Sequence, residues 1–255
     1  MWECPDFLDV PERESKPRTR GLTHVLDKGM PLPALEALLN QVGDLIDVVK
    51  VGWGIAYLDR MLKERVVLCR AAGTLISLGG TLLEVAVMQG KLDELRRWAL
   101  EQGIDALEVS NGLSWLGRER KAALVRELSA DFVVFAETGA KDAAVPVIPE
   151  QWVAEMEADL AAGAQWAIAE GREGGNVGLF QRDGSVRREL VDLIAARLPL
   201  ERVIFEAPQK AQQAFFVRQL GPDVNLGNLP PDEVLPLETL RLGLRADTAR
   251  VPPAR

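Results

Sequence analysis

Short apolar runs alternate with longer segments of helical periodicity along most of the chain. Each run is too short for a helix and lacks polar alternation, which predicts a strand covered on both faces. Each longer segment carries apolar residues at helical spacing, which predicts a helix. The predicted strands are residues 21–27, 46–52, 74–80, 106–110, 132–136, 165–169, 203–206 and 224–229. The predicted helices are residues 35–45, 59–71, 91–101, 118–128, 150–160, 186–198, 209–220 and a last one within 232–243.

Strict alternation of strands and helices indicates that the strands are parallel. Eight such units in 255 residues are typical of an α/β fold, the (β/α)8 TIM barrel. We therefore predict a single barrel domain at residues 21–248, with an N-terminal lead at 1–20 and a tail at 249–255. A doubly wound open sheet is the alternative, but no Gly-x-Gly-x-x-Gly motif follows the first strand, which weakens a dinucleotide site.

Composition agrees with an ordinary globular protein, with 47% hydrophobic and 27% charged residues and no apolar run of membrane-spanning length. The first residues do not show a basic segment followed by an apolar one, so a cytoplasmic location is expected. The formal net charge of −8 argues against a nucleic-acid partner. Cys4 and Cys69 lack metal-ligand spacing, and no disulfide is expected.

Chemically active residues are concentrated where the predicted strands end, and in a TIM barrel those ends form the face that carries active sites. The strand at 165–169 leads into Glu170 and Arg172, which point to the same side because strand side chains alternate. Gly171, Gly174 and Gly175 allow backbone N–H groups to approach a ligand. We expect an oxyanion such as sulfate or phosphate to bind near Arg172 and this loop. The alternative is an Arg–Glu pair on an exposed turn.

Other charged residues at strand ends have two interpretations. Lys50 ends a buried strand, where an unpaired ammonium would be costly, so a partner or ligand is expected. Lys210 stands near a helix start, where a ligand contact and a solvated side chain fit equally well. Mg²⁺ prefers one or two carboxylates together with waters and substrate oxygens. Four carboxylates at strand ends could bind this ion: Glu108, Glu137, Glu170 and Glu206. Each of them could instead pair with a Lys or Arg.

Two further side chains are expected to have structural roles. His24 is the only histidine and lies inside the first strand, which favours a hydrogen-bonded core residue over a catalytic base. Trp53 lies between two glycines, which favours a residue that caps the barrel, with a wall of the pocket as the alternative.

Long motifs then connect the chain to a known family. The longest are GLTHVLDKG at 21–29, VKVGWG at 49–54, GGTLLE at 79–84 and VIFEAPQK at 203–210. Shorter ones are EGRE at 170–173, GLF at 178–180 and VNL at 224–226, and LETLRLGLR follows at 237–245. In register, these motifs resemble the phosphosulfolactate synthase family over roughly residues 20 to 248.

The resemblance implies an enzyme that adds sulfite to phosphoenolpyruvate with Mg²⁺, giving (2R)-2-phospho-3-sulfolactate, an early step toward coenzyme M. Two anions must then be brought together, which demands cations. Lys141 matches the general acid proposed for the family. The expected catalytic residues are Lys141, Lys50 and Glu137. The expected substrate-binding residues are Arg172, Lys210, Gly174, Gly175, Ser110 and Asn225, and the expected metal ligands are Glu170, Glu206 and Glu108. The resemblance leaves a homo-oligomer open.

The chain departs from the family pattern at several strand ends. Ile55 and Ala56 stand where the family has Thr-Ser, Asn111 replaces an aspartate, and Ala140 replaces the first of two lysines. These changes concern the substrate more than the fold.

A second hypothesis therefore accompanies the enzyme. It is a noncatalytic barrel of the same family, kept for ligand sensing or for stress-related protein interaction, as a plant group that also resembles the family suggests. The retained Lys141, Arg172 and Glu206 favour the enzyme.

Overall fold

Eight parallel strands close into a barrel in the computed structural model, which describes residues 5–113, 115–140, 142 and 144–249. The strands are β1 Thr23–Asp27, β2 Val48–Val51, β3 Leu75–Leu78, β4 Ala106–Val109, β5 Val133–Thr138, β6 Trp166–Ala169, β7 Val203–Glu206 and β8 Asn225–Leu229. Each strand pairs with the next, and β8 pairs with β1. The TIM-barrel prediction is confirmed, and the open sheet was the wrong alternative.

Helices cover the outside of the barrel. They are α1 Leu32–Val42, α2 Ile55–Leu58, α3 Leu62–Ala71, α4 Gly80–Met88, α5 Leu92–Gln102, α6 Arg118–Leu128, α7 Pro149–Ala162, α8 Arg188–Arg197, α9 Lys210–Leu220 and α10 Val234–Arg241. The sequence pattern missed α2 and α4. In α4, Leu83 is buried while Val85 and Met88 are exposed, so apolar residues occur around the whole helix and give no helical period. None of the described helices has the length and apolar content needed to cross a bilayer.

Apolar side chains fill the barrel below its C-terminal end. This interior cluster contains Leu22, Val48, Ala106, Phe135, Ile168 and Ile204. Five of these residues are followed, two positions later, by a charged residue: Lys50, Glu108, Glu137, Glu170 and Glu206. Because side chains alternate along a strand, the charged residues lie on the inner side, one layer above the apolar cluster. A charged layer therefore closes the upper end of the barrel.

The N-terminal lead is bonded to the opposite end, where the strands begin. Arg13 pairs with Asp223 and with Glu238, each at 2.9 Å. Arg18 pairs with Asp47 at 3.1 Å, and both side chains are buried. Asp47 immediately precedes β2, Asp223 lies two residues before the start of β8, and Glu238 belongs to α10, so the lead joins the base of the barrel to this helix.

One irregularity interrupts the pairing of β1 with β8. Thr23 lies opposite Leu226 and Val25 lies opposite Leu229, so β8 has one more residue than β1 over this stretch. Such a β-bulge bends the strand and re-aims its side chains. The residues between the two pairs on β8 are Gly227 and Asn228, and Asn228 has a positive φ of 53°. The bulge therefore changes which amide of β8 faces the upper end of the barrel.

Candidate active site

A cavity of about 30 Å³ lies at the C-terminal end of the barrel. The predicted site residues that line it are Lys50, Glu108, Glu137, Glu170 and Arg172. Glu206 is fully buried and contacts Lys50. The strand ends thus bring six of the residues singled out in the sequence to one place. A cavity of this volume has room only for water-sized molecules, so a larger ligand would occupy its mouth.

Lys50 bridges two carboxylates inside the barrel. Its Nζ lies 2.9 Å from Glu108 and 3.2 Å from Glu206, and all three side chains are buried. Burial alone would lower the pKa of Lys50, but Glu108, Glu206 and then Glu137 outweigh it and raise that pKa. Lys50 is therefore a fixed ammonium ion and does not release its proton at physiological pH. The sequence predicts a partner or a ligand for this buried lysine, and the structure provides a pair of carboxylates.

Glu108 uses both carboxylate oxygens for internal contacts. Oε2 contacts Lys50, and Oε1 accepts a 2.8 Å hydrogen bond from the Gly80 N–H at the start of α4. A helix N-terminus favours negative charge, so this site stabilises the carboxylate without a metal. Among the described residues, the acidic groups close enough to share an ion do not include Glu108. The expectation that Glu108 is a metal ligand stays a prediction, and the structure does not place it with the converging acids.

The three carboxylates that do converge belong to Glu137, Glu170 and Glu206. One oxygen from each lies within 4.8 Å of the others, and all three residues are buried. Glu170 Oε1 accepts a 2.6 Å hydrogen bond from the Arg172 N–H, whereas its Oε2 is buried without a hydrogen-bond partner in the part of the chain that the structure describes. Burial, then Glu137 and Glu206, raise the pKa of Glu170 well above its ordinary value. A cation held here would compensate the clustered negative charge.

Backbone strain is concentrated at the same cavity. Among the described residues, three that are not glycine have positive φ: Trp53 at 49°, Arg172 at 58° and Asn228 at 53°. All three line the cavity. This conformation costs on the order of 1–3 kcal/mol per residue and is found preferentially at functional sites. Trp53, expected to cap the barrel, thus forms part of the pocket wall.

Gly171 lets the loop after β6 approach β7. A Cβ at this position would lie 2.6 Å from the Phe180 ring and 2.8 Å from the Glu206 carbonyl oxygen. The N–H groups of Gly171 and Arg172 each donate a 2.9 Å hydrogen bond to Glu206 Oε2. Glu206 is therefore held in place from both sides, by these amides and by Lys50.

The next two glycines of this loop, Gly174 and Gly175, do not line the cavity. The carbonyl oxygens of Gly174 and Gly175 accept hydrogen bonds from Gln209 (2.7 Å) and Gln212 (2.8 Å), and the Gly175 N–H donates to the Arg172 carbonyl oxygen. Gly175 has a positive φ of 61°, and Gln212 packs against it too closely for a Cβ. Packing against α9 thus accounts for these glycines, and the structure does not bring them to the cavity as substrate-binding residues. Of this loop, Arg172 and Glu173 line the cavity.

Asn225 corrects another expectation. It is the first residue of β8 and therefore lies at the base of the barrel, opposite the cavity. Its Oδ1 accepts a hydrogen bond from the Leu22 N–H (2.9 Å), and its Nδ2 donates to the Val203 carbonyl oxygen (3.0 Å). Asn225 stabilises the start of two neighbouring strands and does not reach a substrate.

Lys210 and Ser110 also make internal contacts. Lys210, the first residue of α9, pairs with Asp247 at 2.7 Å, and its side chain is 44% exposed. Ser110 Oγ donates a 2.5 Å hydrogen bond to Glu84, so it holds the loop after β4 to α4. Neither lines the cavity. Lys141, predicted as the general acid, lies outside the described residues.

Asn228 is not among the site residues predicted from the sequence. The signal was a Gly-Asn pair inside a strand pattern, because an isolated glycine in a strand suggests a bulge. Asn228 lines the cavity, whereas the selected Asn225 does not.

At three positions where the chain departs from the family pattern, the residues do not line the cavity. Ile55 and Ala56 form the first turn of α2 and do not line it. Asn111 accepts a hydrogen bond from the Leu116 N–H (2.8 Å) and donates one to the Leu116 carbonyl oxygen (2.6 Å). An ionised carboxylate cannot donate, so the amide suits this loop contact.

His24 has the hydrogen-bonded core position expected from the sequence. It is fully buried, and its ring centroid lies 5.7 Å from that of Phe135. Its Nδ1 accepts a hydrogen bond from the Asn228 N–H at 3.4 Å. Burial and then the nearby Lys50 ammonium lower the pKa of His24 to about 3, although Glu108 acts in the opposite direction. The imidazole is therefore neutral in the folded protein.

We expect His24 to make stability depend on pH. Between its ordinary pKa of 6.5 and the folded value of about 3, the unfolded chain binds the extra proton. Unfolding free energy should therefore fall by about 2 kcal/mol from this residue between about pH 7.5 and about pH 5. Urea unfolding of the wild type and of His24→Asn, which keeps an acceptor near the Nδ1 position, measures the difference. The same pH dependence in both proteins would contradict the expectation.

The closed (β/α)8 barrel, with a charged and strained cavity at its strand ends, places the protein in the class of TIM-barrel enzymes. The sequence model of the family described as (2R)-phospho-3-sulfolactate synthase (ComA) matches residues 11–247. The chain is 42% identical over 250 residues to the phosphosulfolactate synthase of Methanothermobacter thermautotrophicus, which covers 95% of this chain and 96% of the relative. It is 39% identical over 247 residues to that of Bacillus subtilis, covering 95% and 98%. The chain belongs to the phosphosulfolactate synthase family.

Solved structures of more distant proteins share the fold alone. The YdjI aldolase from Escherichia coli K12 aligns with a TM-score of 0.55 at 12% identity, covering 84% of this chain and 76% of that one. At this identity the likeness supports the barrel and carries no functional argument.

Proposed function

We propose that the protein adds sulfite to phosphoenolpyruvate with the help of Mg²⁺, giving (2R)-2-phospho-3-sulfolactate. The observation that carries the proposal is the convergence of Lys50, Arg172 and the three neighbouring carboxylates on one cavity at the strand ends. Family membership supports this choice of reaction, since the relatives carry the name phosphosulfolactate synthase.

The charge of the cavity supports a metal ion. Among the described residues, two cations, Lys50 and Arg172, stand with five carboxylates, those of Glu108, Glu137, Glu170, Glu173 and Glu206. When all are ionised, three negative charges are in excess, yet both proposed substrates are anions. A divalent cation would offset two of these charges, and carboxylate oxygens are the donors that Mg²⁺ prefers. Glu137, Glu170 and Glu206 fit as its ligands, because one oxygen from each converges on one place and all three residues are buried.

The proposed chemistry needs no redox agent. The sulfite sulfur forms a bond to the methylene carbon, the electrons of the double bond move onto the carboxylate as an enediolate, and a proton is added to the adjacent carbon. The phosphate ester stays intact. Mg²⁺, when bound, supplies a Lewis acid for the negative charge that develops. Lys50 contributes a fixed positive charge and not a proton. The family resemblance assigns the proton to Lys141, which stays a prediction.

Arg172 is proposed to bind the phosphate or carboxylate at the mouth of the cavity. Its side chain is 43% exposed, with Nε 3.7 Å from Glu173, so the guanidinium can face an incoming anion. Arg172→Lys keeps the charge but loses the planar fork, and it should weaken phosphoenolpyruvate binding by about tenfold. Calorimetry with Mg²⁺ present measures this. Arg70→Lys, at an exposed ion pair with Asp105, is the control and should bind normally. Unchanged affinity in Arg172→Lys would remove Arg172 from the site.

The direct test is purified protein mixed with phosphoenolpyruvate, sulfite and Mg²⁺ and followed by phosphorus NMR. The expected result is a new phosphomonoester signal that appears only with both substrates. Binding without turnover would favour the noncatalytic hypothesis. The departures at Ile55, Ala56 and Asn111 lend that hypothesis little support, because none of them lines the cavity.

A further inference from the structure

We propose that Asn228 is a substrate-binding residue, that its side-chain amide donates to an oxyanion of phosphoenolpyruvate, and that His24 positions it. This inference rests on the proposed function and adds a neutral contact on β8 to the charged ones on the other strands.

The position of Asn228 is the first support. It lies in the bulge where β8 has one residue more than β1, and it lines the cavity. Its φ of 53° is unfavourable for a residue with a side chain, although asparagine tolerates it better than most. The bulge and the strained backbone together place the Asn228 amide at the cavity. In a regular strand the same side chain would face in another direction.

The second support is that the side-chain amide oxygen has no hydrogen-bond partner among the described residues. Asn228 is only 6% exposed, and its Oδ1 is buried without a partner. An unsatisfied buried amide oxygen is costly, so its retention beside a cavity indicates that a water or a ligand completes the hydrogen bonds of this amide. Because the cavity already carries excess acid, a neutral N–H donor can hold an anion without disturbing the proposed metal ligands. The amide oxygen is left to accept from a water or from a protonated oxygen.

His24 stabilises the bulge through a hydrogen bond. The bulge removes the Asn228 N–H from regular strand pairing, and His24 Nδ1 accepts its hydrogen bond instead. Gly227, beside it, packs so closely that a Cβ there would lie 3.1 Å from His24 Nδ1. Since the imidazole is neutral, Nδ1 stays an acceptor and the proton is on Nε2. The chain's only histidine is therefore a positioning residue for Asn228.

Calorimetric titration with phosphoenolpyruvate and Mg²⁺ tests Asn228. Asn228→Gly removes the amide while accepting the positive φ, and it should bind about tenfold more weakly than the wild type. Asn228→Asp keeps the shape but adds a negative charge, and it should bind more weakly still. Unchanged affinity in Asn228→Gly would overturn the inference and leave the proposed function intact. A wild type that binds no phosphoenolpyruvate would overturn both.

A double-mutant cycle tests the positioning role of His24. His24→Leu should weaken phosphoenolpyruvate binding in the wild type and have no further effect in Asn228→Gly, because the two residues act through one contact. His24→Asn, which keeps an acceptor, should restore most of the affinity. If the leucine variant does not fold, His24→Gln gives the same test, since its polar atoms reach the Nε2 position. Independent, additive losses would overturn the positioning role.

Discussion

Replacing Lys50 with methionine is expected to abolish phosphoenolpyruvate binding and to lower the unfolding free energy by about 3–5 kcal/mol. The substitution leaves Glu108 and Glu206 buried without the ammonium that now lies 2.9 Å and 3.2 Å from them. It also removes the fixed cation of the cavity. Urea unfolding and calorimetry with Mg²⁺ measure the two effects separately.

Lys121 provides a matched control. It is also buried between two carboxylates, with Nζ 2.7 Å from both Glu155 and Asp159, but it joins α6 to α7 outside the cavity. Lys121→Met should lose a comparable amount of stability while its folded fraction binds phosphoenolpyruvate normally. If both variants lost binding, or if Lys50→Met kept it, the role of Lys50 in the site would be wrong.

Glu170→Gln is expected to raise the melting temperature of the metal-free protein while lowering turnover by about 10²-fold or more. Burial, then Glu137 and Glu206, hold the folded pKa of Glu170 above its ordinary value of 4.5. Above pH 4.5 the folded state therefore binds more protons than the unfolded chain, and this residue costs stability as pH rises. The amide removes that cost, so the gain in melting temperature should be larger at about pH 8 than at about pH 5.

The same variant should lose the stabilisation that Mg²⁺ gives the wild type, which scanning calorimetry with and without the ion measures. Glu84→Gln is the control. Glu84 is a buried carboxylate that accepts hydrogen bonds from Ser110, Gly112 and Leu113 away from the three converging acids. Its replacement should lower the melting temperature and keep the response to Mg²⁺. A Glu170→Gln protein that is less stable and still responds to Mg²⁺ would refute the metal assignment.

The local sequence pattern was sufficient to predict the helices and strands whose structure depends on neighbouring residues. The helix Arg118–Leu128 and the strand Val203–Glu206 have the predicted bounds. Lys50 and the glutamates at the strand ends were identifiable because each follows an inward apolar residue by two positions, which fixes the face they occupy. Closure of the barrel then brings them together without any further information from the sequence.

The residues that the sequence analysis placed wrongly are those whose positions depend on long-range packing. Asn225 and Asn228 lie on one strand, and a bulge set by β1, about two hundred residues away, determines which amide faces the cavity. Gly175 was assigned to a ligand, but Gln212 of α9 packs against it. Lys210 was ambiguous because its partner, Asp247, lies beyond the last helix. None of these contacts has a local signature.

The attachment of the N-terminal lead has a consequence for how the protein is made. Arg13 leaves the ribosome early, whereas its partners Asp223 and Glu238 are more than two hundred residues later in the chain. Strand β1 must likewise wait for β8 before its second edge is paired. These two contacts of Arg13 therefore form only near the end of translation, and the barrel is completed after the C-terminal residues emerge. Nascent chains that stop before Asp223 should be open sheets with two exposed edges, which are substrates for chaperones and sites for aggregation.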